Sequence, residues 1–217
     1  MSTNINISVS SYEKRIGILG GTFNPIHMGH LIMAEEVCQH HHLSKILFIP
    51  TYTPPHKQVN DLADTHHRYE MIKAAISGES DFEVSDIEIM RKGKSYTIDT
   101  VREILEQYGN ESEIFLIMGA DSLNELELWK NIKKLSQLCH FVVVNRPGFN
   151  TEVSARLVEI IGNDNISDME RLRIEMDPVG VSSTEIRKRV NDEVGINGLV
   201  PECVEAYIRD HALYTHI

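Results

Sequence analysis

Four short runs of almost unbroken apolar residues constrain this chain most: RIGILG (15–20), KILFIP (45–50), EIFLIMG (113–119) and HFVVVN (140–145). A strand that is apolar at nearly every position must be covered on both faces, and that pattern belongs to a parallel sheet. FEVSDIEI (82–89) and RLRIEMD (171–177) read as two further strands. Helical periodicity fills the gaps. HLIMAEEVCQHH (30–41) puts Leu31, Ala34, Val37 and Cys38 on one face, and further helices are expected over 66–77, 97–108, 122–137, 151–161, 183–190 and 201–213. Thr97 is the expected cap of the helix over 97–108. Strands alternating with helices predict an α/β fold, a doubly wound parallel sheet with right-handed crossovers and a small C-terminal helical part. The 217 residues suit one domain over 15–217 behind a polar extension, 1–14. The loop TYTPPHKQVNDLADT (51–65) is long and irregular, as functional loops in compact domains often are.

Charge narrows the function classes. The net charge of −11 is spread along the chain, and no basic patch stands out. That speaks against binding nucleic acid through its phosphates, and no feature supports a membrane surface. No run reaches the roughly 20 apolar residues that span a bilayer. The N-terminus lacks the apolar core of a secretory signal. Cys38, Cys139 and Cys203 are far apart with no CxxC, so reduced thiols and a cytoplasmic setting are expected. A homo-oligomer is left open.

The stretch GILGGTFNPIHMGHL (17–31) joins the first strand to the first helix. In a doubly wound sheet, ligands bind outside the carboxyl ends of the strands. Gly20 and Gly21 let a ligand approach the backbone, and the first amides of the helix offer unpaired donors to an anion. The spacing of Gly17, Gly20, Gly21 and Gly29 is not G-x-G-x-x-G, and no Gly-Lys-Ser/Thr follows, which disfavours a dinucleotide fingerprint and a P-loop. His27 and His30 lie three apart and share a helix face. A metal would need a third ligand at a known spacing, and none is evident. One histidine could cap the turn while the other packs; alternatively both donate to phosphate and stabilise charge on a leaving group.

A second constellation is GVSSTEIRKRV (180–190). Ser182 and Glu185 fit a capping box, and Arg187 falls one turn beyond Ser183. Hydroxyls, free amides and an arginine together suit a polyphosphate, although a capped surface helix has the same sequence. Asp121 is either a ribose or metal partner at the end of a strand or a helix cap. Arg68 could face the site, whereas His66 and His67 begin a surface helix and His40, His41 and His42 suit a helix C-terminus. Arg146 reads as an exposed turn residue.

GGTFNPIHMGH together with VSSTEIR resembles the nucleotidyltransferase superfamily that carries HxGH and SSTxxR motifs, a Rossmann-like fold. Within it, the chain resembles the bacterial nicotinate-nucleotide adenylyltransferases. PPHK (54–57), HHRYEMI (66–72), GKSYTIDT (93–100), MGADSL (118–123), LWK (128–130) and VVNRPG (143–148) match in order, and the likeness covers about 15–213. HxGH alone is shared in related form by class I aminoacyl-tRNA synthetases; the ordered set is far more specific. Asn24 departs from the aspartate of many relatives, keeping the turn's hydrogen bonds but no charge.

The resemblance implies transfer of AMP from ATP to nicotinate mononucleotide, giving deamido-NAD and pyrophosphate by direct in-line attack. It implies that His27 and His30 contact the ATP phosphates, that Ser183, Thr184 and Arg187 hold the β- and γ-phosphates, and that Arg187 joins the histidines in catalysis. Gly20, Gly21, Thr22, Phe23, Gly119 and Asp121 would lie against the nucleotide; Lys57, Thr97 and Trp129 would bind the mononucleotide, with Trp129 stacked on the pyridine ring. Mg²⁺ is expected to travel with the triphosphate, largely water-bound, with no protein metal cage. Another acceptor of the same superfamily, nicotinamide mononucleotide or phosphopantetheine, and a non-catalytic nucleotide binder are the alternatives.

Overall fold

The structure, a computed structural model, describes residues 14–54, 62–145, 152–177 and 179–215. In chain order the elements are β1 (Arg15–Gly21), α1 (Met28–His40), β2 (Lys45–Pro50), α2 (Thr65–Ala75), β3 (Phe82–Val84), α3 (Ile87–Arg91), α4 (Thr97–Tyr108), β4 (Glu113–Gly119), α5 (Leu123–Leu126), α6 (Ile132–Leu135), β5 (His140–Asn145), α7 (Ala155–Ile161), α8 (Asn163–Arg171), β6 (Ile174–Glu175), α9 (Ser183–Asn191) and α10 (Glu202–Asp210). The six strands form one sheet in the order β3-β2-β1-β4-β5-β6, and every pairing is parallel. This is the doubly wound arrangement expected from the apolar runs.

Strand alternation divides the core in two. Ile16, Ile18, Leu47, Ile49, Ile114, Leu116 and Val143 face α4, α7 and α8. Leu19, Ile46, Phe48, Phe115, Ile117 and Val142 face α1, α2 and the C-terminal α9 and α10. Gly17 sits on the second face, where a Cβ would come within 2.9 Å of both Ile46 and Leu43. No helix among the described residues is long and apolar enough to cross a membrane.

Three expected elements differ. The strand expected over 82–89 ends at Val84. The Ile-Glu-Ile alternation that suggested its continuation is instead the helix α3, started where the Ile87 N–H donates to Ser85 Oγ at 3.4 Å and Met90 N–H to the Asp86 carbonyl at 2.8 Å. The helix expected over 122–137 is split into α5 and α6, because Asn131 adopts a left-handed φ of 54° before α6. The strand expected over 171–177 contracts to Ile174–Glu175, and the residues before it form α8. Thr97 is also not the cap of α4: it is the first helical residue, Tyr96 stands at the N-cap, and its side chain makes no cap bond.

The amino ends of the strands carry a polar cluster far from the glycine turn. His41 is buried, stacks on Phe115, and its Nε2 lies 2.9 Å from the Leu172 carbonyl, to which it donates. Burial, with the positive charges of Arg15 and Arg171, holds its pKa below that of a free histidine. Below about pH 6.5 the unfolded chain takes up a proton at this position that the folded chain resists. Stability should therefore fall as pH drops below about 6.5, and less so in His41→Gln, which keeps a donor for Leu172 but cannot titrate. Asp168 adds a second, lower window. Burial raises its pKa, but hydrogen bonds from His140 and Arg171 outweigh burial and hold it below the usual range, so its contribution is lost only in stronger acid. Denaturant midpoints at pH 7 and pH 5 measure the first effect; an identical decline in wild type and His41→Gln would remove His41 as its source.

Candidate functional site

The strand order reverses between β1 and β4, and ligands collect outside the carboxyl ends at such a reversal. Both strands end there on glycine, at Gly20-Gly21 and at Gly119. A cavity of about 430 Å³ opens above them. Gly20 borders open space, since a Cβ added to it would meet nothing within 4 Å. At Gly119 a Cβ would lie 2.5 Å from Asp121 Oδ1, so a side chain there would push the exposed carboxylate aside.

The turn after β1 is held from three directions. Phe23 is buried with a left-handed φ of 45°, and the Asn24–Pro25 peptide is cis. Asn24, 2% exposed, accepts the Ala63 N–H at 3.0 Å and the Tyr214 hydroxyl at 2.9 Å on its Oδ1. These are the hydrogen bonds that explain Asn24, and a neutral amide oxygen suffices for both. Arg68 does not line the cavity; it is fully buried and donates to the carbonyls of Thr22 at 2.8 Å, Thr51 at 2.7 Å and Ala63 at 2.9 Å. From α9, Ser183 Oγ donates to the Pro25 carbonyl at 2.9 Å and Arg187 to the Asn24 carbonyl at 2.9 Å. The two motifs, far apart in the sequence, are thus fastened to each other. Ser182 caps α9, accepting the Glu185 N–H at 3.2 Å.

His27 is the N-cap of α1, and His30 lies one turn in. Their rings stack with centroids 3.7 Å apart, and Phe23 meets His30 edge-on at 4.9 Å. The His27 N–H donates to His30 Nδ1 at 3.3 Å. A ring that accepts on Nδ1 carries its proton on Nε2, which makes His30 an Nε2–H donor. Gly29 leaves room beside the His27 ring, since a Cβ at residue 29 would press on both that ring and Val181 at 3.2 Å.

Three helix N-termini border the cavity, α1 through His27, α9 through Ser182 and Ser183, and α4 through Tyr96 and Thr97. Each brings the positive end of a helix dipole, which makes the cavity attractive to anions inside an acidic protein. Trp129 lines the cavity, as do Tyr96 and Thr97. Lys130, next to Trp129 in the chain, fastens this segment to the start of α4, pairing with Asp99 at 2.9 Å and lying 4.3 Å from the centre of the Tyr96 ring.

Most of the expected residues meet here. Gly20, Gly21, Thr22, Phe23, His27, His30, Gly119, Asp121, Ser183, Thr97 and Trp129 all line the cavity. Thr184 and Arg187 do not: Thr184 is exposed, and Arg187 reaches the turn through the Asn24 carbonyl. Lys57, Arg146 and residues 1–13 of the extension lie outside the described residues. Glu88, Ser95 and Glu125 line the cavity without any signal in the sequence that singles them out. Burial pushes the Glu88 carboxyl up, opposed by hydrogen bonds from Thr100 and Ser95 and by the Arg91 charge.

Residues 18–189 match the cytidylyltransferase-like family. A probable nicotinate-nucleotide adenylyltransferase of Desulfitobacterium hafniense is 41% identical, covering 96% of this chain and 99% of its own. One from Moorella thermoacetica is 42% identical, covering 92% and 91%. Among solved structures, the nicotinic acid mononucleotide adenylyltransferase of Plasmodium falciparum, complexed with NaAD, aligns with a TM-score of 0.72 at 20% identity, covering 93% of this chain and 97% of that one. That likeness confirms the fold.

Proposed function

The chain belongs to the cytidylyltransferase-like family and, within it, to the nicotinate-nucleotide adenylyltransferases, and on that premise we propose that it transfers AMP from ATP to nicotinate mononucleotide. The products are deamido-NAD and pyrophosphate. One observation supports this above others: a single cavity joins an anion-binding half, His27, His30 and Ser183, to an aromatic half, Tyr96 and Trp129.

A phosphate monoester loses its second proton near pH 6, so its oxygen is already nucleophilic at neutral pH and needs no general base. It attacks the α-phosphorus of ATP in line. The new bond is P–O–P, the bond to the bridging β-oxygen breaks, and pyrophosphate leaves with the electron pair. The protein's part is positioning and electrostatic stabilisation. His30 Nε2–H and the positive ends of α1 and α9 are assigned to charge growing on the leaving group, with Ser183, Thr184 and Arg187 assigned to the β- and γ-phosphates. Thr97, Trp129 and Lys57 are assigned to the acceptor. Among the described residues no group of three or more His, Cys, Asp or Glu is placed to hold a metal. Asp121, exposed just beyond the end of β4, is the residue that would meet a Mg²⁺ carried in by ATP, whose charge would offset that of the triphosphate. Asp121 serves equally as an acceptor for a ribose hydroxyl.

Pyrophosphate release, measured with ATP, Mg²⁺ and each candidate acceptor, tests this reading. Nicotinate mononucleotide should react fastest, and the amide should lose about 10–100-fold in kcat/KM, the worth of one charge-assisted hydrogen bond. Equal rates would end the assignment of specificity, and silence with every acceptor would end that of an enzyme.

A further inference from the structure

Glu88 is a buried carboxylate at the cavity wall that the transfer chemistry does not use. It is 7% exposed and comes from α3. Its Oε1 accepts the Thr100 hydroxyl of α4 at 2.6 Å. Thr100 Oγ1 in turn accepts from Arg91 at 2.8 Å, and Arg91 is held by Glu103 at 2.6 Å. The Ser95 hydroxyl lies near the same carboxylate and helps to hold its pKa down against burial. Ser95 Oγ also accepts the Tyr52 N–H at 3.1 Å, while the Ser95 N–H donates to the Thr53 carbonyl at 3.1 Å. The carboxylate thus ties α3 to the start of α4, and Ser95 beside it ties the same stretch to the segment leaving β2. The chain between α3 and Ser95 needs such an anchor, because it turns through two consecutive left-handed residues, Lys92 and Gly93.

What this network positions is the acceptor side. Tyr96 and Thr97 lie between its two contacts, Ser95 and Thr100, and both line the cavity beside Trp129. The triphosphate side hangs on other bonds, those of Ser183 and Arg187 to the turn after β1, and shares no member with it. We propose that Glu88 is a positioning residue for the acceptor: it fixes the first turn of α4 against the exit of β2, and so sets affinity for the mononucleotide and not for ATP. This rests on the transferase reading given above.

The test is steady-state kinetics with each substrate varied at saturating levels of the other. Glu88→Ala strands the buried Thr100 hydroxyl and unties α3 from α4, so KM for nicotinate mononucleotide should rise about tenfold or more while KM for ATP stays within about twofold. Glu88→Gln keeps an acceptor for Thr100 and should recover to within about threefold of wild type. If Glu88→Ala fails to fold, Thr100→Val removes the same bond from the α4 side and should give the same split. Equal rises in both KM values, or no rise in either, would overturn the proposal. Wild type run alongside separates the two readings. If it turns over a different acceptor, the substrate assignment fails and the same split is read with that acceptor. If it turns over none, the melting-temperature shifts given by ATP and by nicotinate mononucleotide carry the comparison, with the mononucleotide shift alone expected to shrink in Glu88→Ala.

Discussion

His30→Ala is expected to lower turnover by about 10²–10³-fold, the usual loss when one preorganised donor is removed from a developing anion. The magnitude rests on how the ring is held. His27 stacks on one face, Phe23 meets it edge-on, and the His27 N–H occupies Nδ1. An imidazole fixed in this way presents Nε2–H with little reorganisation at the moment of reaction, which is why it is worth more than a mobile donor in water. Binding of ATP should change far less, because the dipoles of α1 and α9 act on ground state and transition state alike. His30→Asn retains a shorter donor and should fall between the two. Single-turnover rates of pyrophosphate release make the measurement independent of product release. A His30→Ala rate within about threefold of wild type would take His30 out of the chemistry.

The parts of this molecule that could be read from its sequence are those whose signal is local. β1, β2, β4 and β5 announce themselves because strands covered on both faces have almost no polar positions between their ends. The glycine turn and the start of α9 are equally legible, since close approach of backbone and a serine cap leave their marks within a few residues. α3 is hidden because Ile-Glu-Ile satisfies a strand as well as one turn of helix, and only the Ser85 and Asp86 contacts decide between them. The break between α5 and α6 is hidden because its cause is one left-handed asparagine, which composition does not reveal. Asn24, Arg68 and Glu88 are opaque for a shared reason, that what defines them is not local. The partners of Asn24 and Arg68 lie from 5 to 190 residues away, and those of Arg68 are backbone carbonyls that every residue type possesses. Glu88 sits in the segment whose alternation imitates a strand, where no helical face can be assigned to it.

Arg68→Met is expected to be the most destabilising single change outside the apolar core. The guanidinium is fully buried, and its hydrogen bonds go to three carbonyls, not to a carboxylate. Burial accordingly lowers its pKa, although an arginine stays charged at any working pH. Methionine fills similar space but donates nothing, so the carbonyls of Thr22, Thr51 and Ala63 lose their donor together. At about 1 kcal/mol or more each, the loss is about 3 kcal/mol or greater. For a chain of this size that lowers the melting temperature by roughly 6–12 °C, at roughly 2–4 °C per kcal/mol. Arg68→Lys should remain nearly as damaging, because one ammonium on a flexible stem cannot reproduce a planar fork spanning three acceptors. The consequence reaches the site. Thr22 begins the turn that carries Phe23 and Asn24, and the Ala63 amide holds Asn24 Oδ1, so loosening Arg68 should weaken ATP binding without touching a phosphate. Melting curves with and without ATP separate the two effects. An Arg68→Met protein melting within about 2 °C of wild type would show that the three carbonyls are satisfied by other means.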